Sequence, residues 1–287
     1  MKQILAATDF SPRSQRAVRR AAMLAREAGA ELTLLHIVDE EADHLVALER
    51  AESRKILDEQ IAALAELRGV QCHPVVEIGA AHDAIKRTAA AMTADLIVMG
   101  SHRKQLLRDI FVGTTIERVI RSGTWPVLMV NTEAASSYSN VLAALDLSDA
   151  SAEAVRTARA LGLLDNVRLT VAHAFDAVAK TKMGLADVPR DRIRAYIEEE
   201  RQRSTVELQG FMTSLSFDAG TWSHYVAEGD AVPVISEAVG AVNPELLVVG
   251  THGRSGVAKI LLGSVAEQVL RALEIDILAV PRGTTAG

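Results

Sequence analysis

Aromatic side chains are scarce, at 3% of 287 residues, and the formal net charge is −6. A nucleic-acid surface needs a basic face and often stacking rings, so this composition argues against one. A single cysteine, Cys72, excludes an intrachain disulfide. No apolar run approaches the roughly 20 residues that a membrane-spanning helix requires. The opening stretch from Met1 to Asp9 is interrupted too early to read as a secretory signal. A cytoplasmic protein with no membrane or nucleic-acid partner is expected. Two motifs are missing as well. There is no G-x4-G-K-[ST], which argues against a P-loop enzyme, and no G-x-G-x-x-G after the first apolar run, which argues against a dinucleotide dehydrogenase.

What is present is a regular alternation. Apolar residues make up 49% of the chain, enough for ordinary cores, and the length suggests about two domains. Gln3 to Ala7 reads as a buried strand. Ser11 and Pro12 then form an N-cap and first helical position, and the helix stops at Gly29. Strands are expected at Glu31–Val38, Gln71–Ile78, Asp95–Gly100 and Trp125–Val130, with helices at His44–Leu67, at His82–Met92 and from Thr114 to Ser122. Strands alternating with such helices predict a parallel sheet covered on both faces. The polar, aperiodic segment Thr132–Ser139 reads as a linker.

After it the unit restarts. Val141-Leu142-Ala143-Ala144-Leu145-Asp146-Leu147-Ser148 mirrors Ile4-Leu5-Ala6-Ala7-Thr8-Asp9-Phe10-Ser11. Asp9 and Asp146, like His36 and His173, lie 137 residues apart, whereas Gly79/Gly229, Gly100/Gly250 and Gly113/Gly263 lie 150 apart. The 13 extra residues are assigned to Asp176–Pro189, just after the second strand of the second repeat. Ligands in open α/β sheets bind outside the carboxyl ends of strands, so this insertion is expected to border a site and to order over a bound ligand.

The most informative stretch is Leu246–Ser264. An apolar strand ends at Gly250, Gly253 and Gly263 follow at fixed spacing, and helical periodicity begins at Ser264. Glycines allow φ > 0 and close approach of the backbone to an oxyanion, and the next helix offers free N–H groups and its dipole. Ser264 adds a hydroxyl donor, and His252, Arg254 and Lys259 add charge. The other reading is a strand-to-helix turn with no ligand.

The pattern G-x2-G-x9-G-[ST], carried by Gly250, Gly253, Gly263 and Ser264, resembles the nucleotide-binding motif of the universal stress protein family, and the resemblance covers nearly the whole chain twice. It implies two Rossmann-like α/β domains, at 1–131 and 140–283. Each would be a five-stranded parallel sheet of order 3-2-1-4-5 with helices on both faces. It further implies a pseudo-dimer in which the fifth strands, Trp125–Val130 and Ile275–Val280, pair antiparallel. The implied ligand is ATP, with or without Mg²⁺, at Asp146, Ala174, Gly250, His252, Gly253, Arg254, Gly263, Ser264 and Val265. Asp146 would meet the ribose, and the backbone of Ala174 the adenine edge. The matching first-repeat set is Asp9, Ile37, Gly100, Arg103, Gly113 and Thr114. There Arg103 replaces the middle glycine, so that site reads as degenerate, unless Arg103, Lys104 and Arg108 supply charge for an anion instead. One nucleotide per chain is expected.

No catalytic residue and no metal ligand set is assigned, since no paired carboxylates flank the loop. Asp146 or Ser148 can also serve simply to cap the next helix. His36 and His173 read as satisfied strand histidines, and His252 as loop-packing or anion-facing. Slow ATP hydrolysis or self-phosphorylation, an interaction scaffold without nucleotide, and a homodimer of whole chains all stay open.

Overall fold

The computed structural model describes residues 1–39, 46–101, 114–186, 188–253 and 262–283. In the first half, β1 (Gln3–Thr8), α1 (Pro12–Ala28), β2 (Glu31–Val38), α2 (Val46–Ala63), β3 (Cys72–Ile78), α3 (Ala81–Ala91), β4 (Leu96–Gly100), α4 (Thr115–Arg121) and β5 (Val127–Val130) follow one another. The second half repeats the order with β6 (Asn140–Ala144), α5 (Asp149–Ala160), β7 (Arg168–Phe175), α6 (Lys180–Leu185), α7 (Arg190–Ser214), β8 (Trp222–Glu228), α8 (Ala231–Val242), β9 (Leu246–Gly250), α9 (Ser264–Ala272) and β10 (Asp276–Val280).

All ten strands form one sheet, in the order β3-β2-β1-β4-β5-β10-β9-β6-β7-β8. Each half therefore has the order 3-2-1-4-5. Neighbours are parallel except at the seam, where β5 and β10 pair antiparallel with Leu128 opposite Leu278. The expected pairing of fifth strands is observed, and it fuses the two five-stranded sheets into one. An apolar edge strand left open invites association, and here each edge covers the other. The central strands are buried on both faces, as parallel strands between helix layers must be: Ile4, Leu5 and Ala6 are fully buried, as are Leu246, Leu247 and Val248. One apolar core lies on each face of the sheet, and each runs through both halves.

Local signals explain the element ends. Ser11 caps α1, its hydroxyl accepting from the Ser14 N–H at 3.3 Å, Pro12 opens the helix, and Gly29 closes it in the left-handed region at φ 63°. The helix expected over His44–Leu67 is shorter. It ends at Ala63, and Leu64 turns to extended backbone before a 3₁₀ turn, Ala65–Leu67, that seats Leu67 in the core. Residues 40–45 lie outside the described part.

The linker is tied into the core: Tyr138 is buried and hydrogen-bonds Asp276 at 2.6 Å. Asp276 is fully buried on β10 and also accepts from the N–H groups of Asn131 and Thr132, at 2.8 and 3.0 Å. Arg20 of α1 lies 3.4 Å from the same carboxylate and stacks over the Tyr138 ring. The inserted segment, Asp176–Pro189, is partly helical. It contains α6, packed on α7, with Ala179 N–H donating to the Tyr196 hydroxyl and Lys180 paired to Glu228 at 2.7 Å. Among the described residues no helix is long and apolar enough to cross a membrane.

Candidate functional site

The carboxyl ends of β6, β7 and β9 converge with the N-terminus of α9 around a cavity of about 340 Å³. Of the residues assigned from sequence, Asp146, Ala174, Gly250, His252, Gly253, Gly263, Ser264 and Val265 all line it. Arg254 and Lys259 lie outside the described residues. In the first half, Asp9, Ile37, Gly100 and Thr114 occupy the matching positions beyond β1, on β2, at the end of β4 and before α4. Arg103 and Gly113 lie outside the described residues, as do His102, Lys104 and Arg108.

Asp146 does not cap α5. That task falls to Ser148, whose hydroxyl accepts from the Ser151 N–H at 3.3 Å. Asp146 Oδ1 in turn accepts from the Ser148 N–H at 3.1 Å and from its hydroxyl at 2.5 Å, so capping and carboxylate placement form one unit. The first half repeats it: Asp9 Oδ1 accepts from the Ser11 N–H at 3.0 Å. Burial pushes the Asp9 carboxyl upward, but hydrogen bonds from Ser11 and Ser14 outweigh it and hold it below the usual carboxylate value.

Sequence reasoning missed two features of this turn. Leu147 and Phe10, each directly after the aspartate, sit at φ 61° and 60°. Bulky residues seldom adopt that region, and it costs on the order of 1 kcal/mol or more. The turn swings the following serine back onto the aspartate. The second feature is Ser151, which lines the cavity and donates to the Ser148 carbonyl at 2.9 Å. The pair Ser14/Ser151 shares the 137-residue offset, so a signal for it was present in the sequence.

The left-handed backbone expected of the loop glycines is not found among the described residues. None of Gly100, Gly250, Gly253 and Gly263 has a positive φ. A Cβ on Gly250 would lie 3.0 Å from the Ala150 carbonyl oxygen, and one on Gly100 would lie 2.7 Å from that of Arg13. These two glycines let the helix that follows the neighbouring strand, α1 beside β4 and α5 beside β9, start against the strand end. Gly263 forms the N-cap of α9, and its N–H donates to the Thr251 carbonyl at 2.7 Å, which pins the two ends of the loop together. A Cβ on Gly253 would sit 3.0 Å from Asp146 Oδ2, so the middle glycine keeps the space beside that carboxylate open.

The N-termini of the two loop-following helices differ. In α4 the Thr114 hydroxyl accepts from the Glu117 N–H at 3.3 Å. In α9 the cap is Gly263, with no side-chain bond to the first turn, and Ser264 is exposed at the first helical position. The first-turn N–H groups of a helix have no partners within it, and among the described residues no side chain caps those of α9. His252 is half-buried with Nδ1 3.0 Å from the Thr251 hydroxyl, a loop-packing contact at the cavity wall. His36 and His173 tie adjacent strands together through Nδ1, at 2.9 Å from the Thr8 carbonyl and 2.7 Å from that of Leu145. The inserted segment, expected to border the cavity, contributes no described residue to its lining.

The model of the universal stress protein family matches residues 1–131 and again 137–281. The universal stress protein E homolog of Haemophilus influenzae is 24% identical over 303 aligned positions, covering 97% of each chain. The universal stress protein A homolog 1 of Coxiella burnetii is 32% identical over 144 residues, 50% of this chain and 96% of its own. In structure, a universal stress protein from Archaeoglobus fulgidus matches with a TM-score of 0.70 at 18% identity, covering 98% of both chains, a likeness of fold.

Proposed function

This chain belongs to the universal stress protein family, and from that premise we propose that its second half binds ATP or a related adenine nucleotide in the cavity at the ends of β6, β7 and β9. The supporting observation is one of position. The cavity, the Asp146 carboxylate and the uncapped start of α9 occur together, with glycine at each point where a side chain would crowd them. Ser148 fixes the plane of Asp146 through Oδ1, and the carboxylate then meets the ribose hydroxyls. The Ala174 backbone meets the adenine edge. Gly250, Gly253, Gly263, Ser264 and Val265 form a channel for the phosphates that ends on the N–H groups and dipole of α9. Arg254, next in sequence to Gly253 and outside the described residues, is assigned to the same phosphate end on sequence alone. The proposal divides the chain at 1–131 and 140–283 and gives the first domain no nucleotide, because its sequence has Arg103 in place of the glycine that, at Gly253, leaves room beside the aspartate.

Native mass spectrometry of protein purified without added ligand, together with calorimetric titration of ATP with and without Mg²⁺, tests this reading. One adenine nucleotide per chain is expected. Gly253→Arg should abolish it, because the new side chain starts 3.0 Å from Asp146 Oδ2 and its guanidinium pairs with that carboxylate. Two nucleotides per wild-type chain, or binding that survives Gly253→Arg, would sink the assignment. No co-purified nucleotide together with a flat titration would leave the interaction-scaffold reading.

A further inference from the structure

The two halves are controls for one another, and they treat one hydroxyl of the strand-end turn differently. Ser14 and Ser151 stand at the same place in the first turns of α1 and α5, 137 residues apart, and both are buried. Each gives its hydroxyl hydrogen to the carbonyl of its helix cap, Ser14 to Ser11 at 3.0 Å and Ser151 to Ser148 at 2.9 Å. A hydroxyl oxygen that has donated can still accept. In the first half it does so. Thr8 Oγ1 lies 3.0 Å from Ser14 Oγ and itself accepts from the Phe10 N–H at 3.1 Å. With the Ser14 hydrogen already placed, Thr8 is the donor of that pair.

The second half has Leu145 where the first has Thr8, and leucine brings no hydroxyl. Ser148 does not take its place, since its own hydroxyl hydrogen goes to Asp146 Oδ1 at 2.5 Å. Among the described residues nothing donates to Ser151 Oγ. Ser151 lines the cavity, as Leu145 and Asp146 do. Ser148 also fixes the two acceptors relative to one another, holding Asp146 through its hydroxyl and Ser151 through its carbonyl. An oxygen whose hydrogen is committed can only accept, so it matches a donor and not a phosphate oxygen, which is itself an acceptor. With the base at Ala174, the donors of a nucleotide that lie beside Asp146 are the ribose hydroxyls.

We infer that Ser151 is a specificity-determining residue of this site: its oxygen accepts from one ribose hydroxyl while Asp146 accepts from the other, so the site selects ribonucleotides over deoxyribonucleotides. This rests on the nucleotide reading above. A site built to receive a hydroxyl rejects the analogue that lacks it, because the analogue leaves a buried polar group without its partner. The pair also predicts two unequal losses. A hydrogen bond to the Asp146 carboxylate is charge-assisted and one to the Ser151 hydroxyl is not, so the deoxynucleotide missing the Ser151 contact is the milder loss.

The test titrates ATP, 2′-deoxy-ATP and 3′-deoxy-ATP into the full wild-type chain and into its Ser151→Ala variant. The variant should weaken ATP by roughly threefold to tenfold. It should leave one deoxynucleotide unchanged within about twofold, the one that lacks the hydroxyl Ser151 meets, and weaken the other as it weakens ATP. A role in packing or in the helix cap alone would weaken all three ligands alike, or none of them, and either pattern overturns the inference. A wild type that binds ATP and both deoxynucleotides equally overturns it too, and that result does not depend on the variant folding. In each of these cases ATP still binds, so the nucleotide reading stands. A flat titration of all three into the wild type overturns the nucleotide reading and this inference with it.

Discussion

Removing the Asp276 carboxylate should be among the most damaging single changes in this chain. Asp276 is fully buried at the start of β10, beside the seam that joins the halves. Its Oδ1 accepts from the N–H groups of Asn131 and Thr132 and from the Thr132 hydroxyl, at 2.8, 3.0 and 3.0 Å. Its Oδ2 accepts from the Tyr138 hydroxyl and lies 3.4 Å from Arg20 Nε. Asp276→Ala leaves the Arg20 guanidinium, itself only 3% exposed, with the Ser136 carbonyl, the Tyr138 ring and only the more remote charge of Glu245. Breaking one side of a buried pair costs about 3–5 kcal/mol, and the stranded donors are part of that figure rather than an addition to it. At roughly 2–4 °C per kcal/mol for a chain of this class, melting should fall by about 10 °C. Asp276→Asn keeps an acceptor for the two N–H groups and should cost less. Replacing both charges, as Arg20→Met with Asp276→Leu, should recover most of the loss, because desolvating the pair offsets much of its attraction. Urea unfolding followed by far-ultraviolet circular dichroism and by tryptophan fluorescence measures these differences. The fluorescence samples both halves, through Trp125 beside β5 and Trp222 on β8. A loss below about 1 kcal/mol for Asp276→Ala would refute the view that this carboxylate clamps linker, seam and α1 together.

Gly100→Ala should destabilise by about 1–3 kcal/mol in chemical unfolding, and by more than Gly250→Ala. The new Cβ meets backbone at 2.7 Å in the first case and 3.0 Å in the second, so equal losses would contradict the packing role. The Tyr138 hydroxyl is held well above the ordinary phenol value, first by burial and then by the charge of Asp276. Its contribution is whole below the unfolded phenol value of about 10 and is lost as pH rises beyond it, because only the unfolded chain then ionises. Melting temperature should therefore drop above about pH 10, less steeply in Tyr138→Phe, and identical slopes would remove Tyr138 as the cause. Burial pushes the Cys72 thiol up to about 12. Iodoacetamide at pH 8 should thus modify the native chain slowly and the urea-unfolded chain quickly, and fast native labelling would mean the thiol is reached by another route.

Much of this architecture was legible because the chain states it twice. The paired offsets of Asp9/Asp146, His36/His173 and Gly100/Gly250 located strand ends without reference to structure. Ser11 with Pro12 and Gly29 marked a helix whose ends the structure places at those residues. What was not legible depends on contacts between distant segments. A glycine's reason is hidden in sequence, since the backbone that excludes a Cβ at Gly100 belongs to Arg13, and the carboxylate that excludes one at Gly253 belongs to Asp146. The linker's polar composition gives no sign that the tyrosine within it is the buried partner of a charge 138 residues away. Asp276 carried no repeat signal at all, since Pro126 stands at the matching place in the first half.

Where residues do repeat, the seam gives a physical reason for some of them. Glu117 and Arg121 on α4 recur as Glu267 and Arg271 on α9. Arg121 hydrogen-bonds Glu117 within its own helix and reaches Glu267 across the seam at 3.4 Å, while Arg271 holds Glu267 at 2.6 Å. An interface around a two-fold axis places a patch against its own copy, so a residue that works on one side works on the other. The same axis places no such demand on the two strand-end sites, which lie on opposite arms of the sheet and do not meet. There the halves carry Leu35 and Ile37 against Ala172 and Ala174, and Thr114 against Gly263 as helix cap. Likeness at the seam and unlikeness at the sites are thus two consequences of one arrangement. The halves must fit one another at β5 and β10, and nothing in that fit requires the two strand-end sites to be alike.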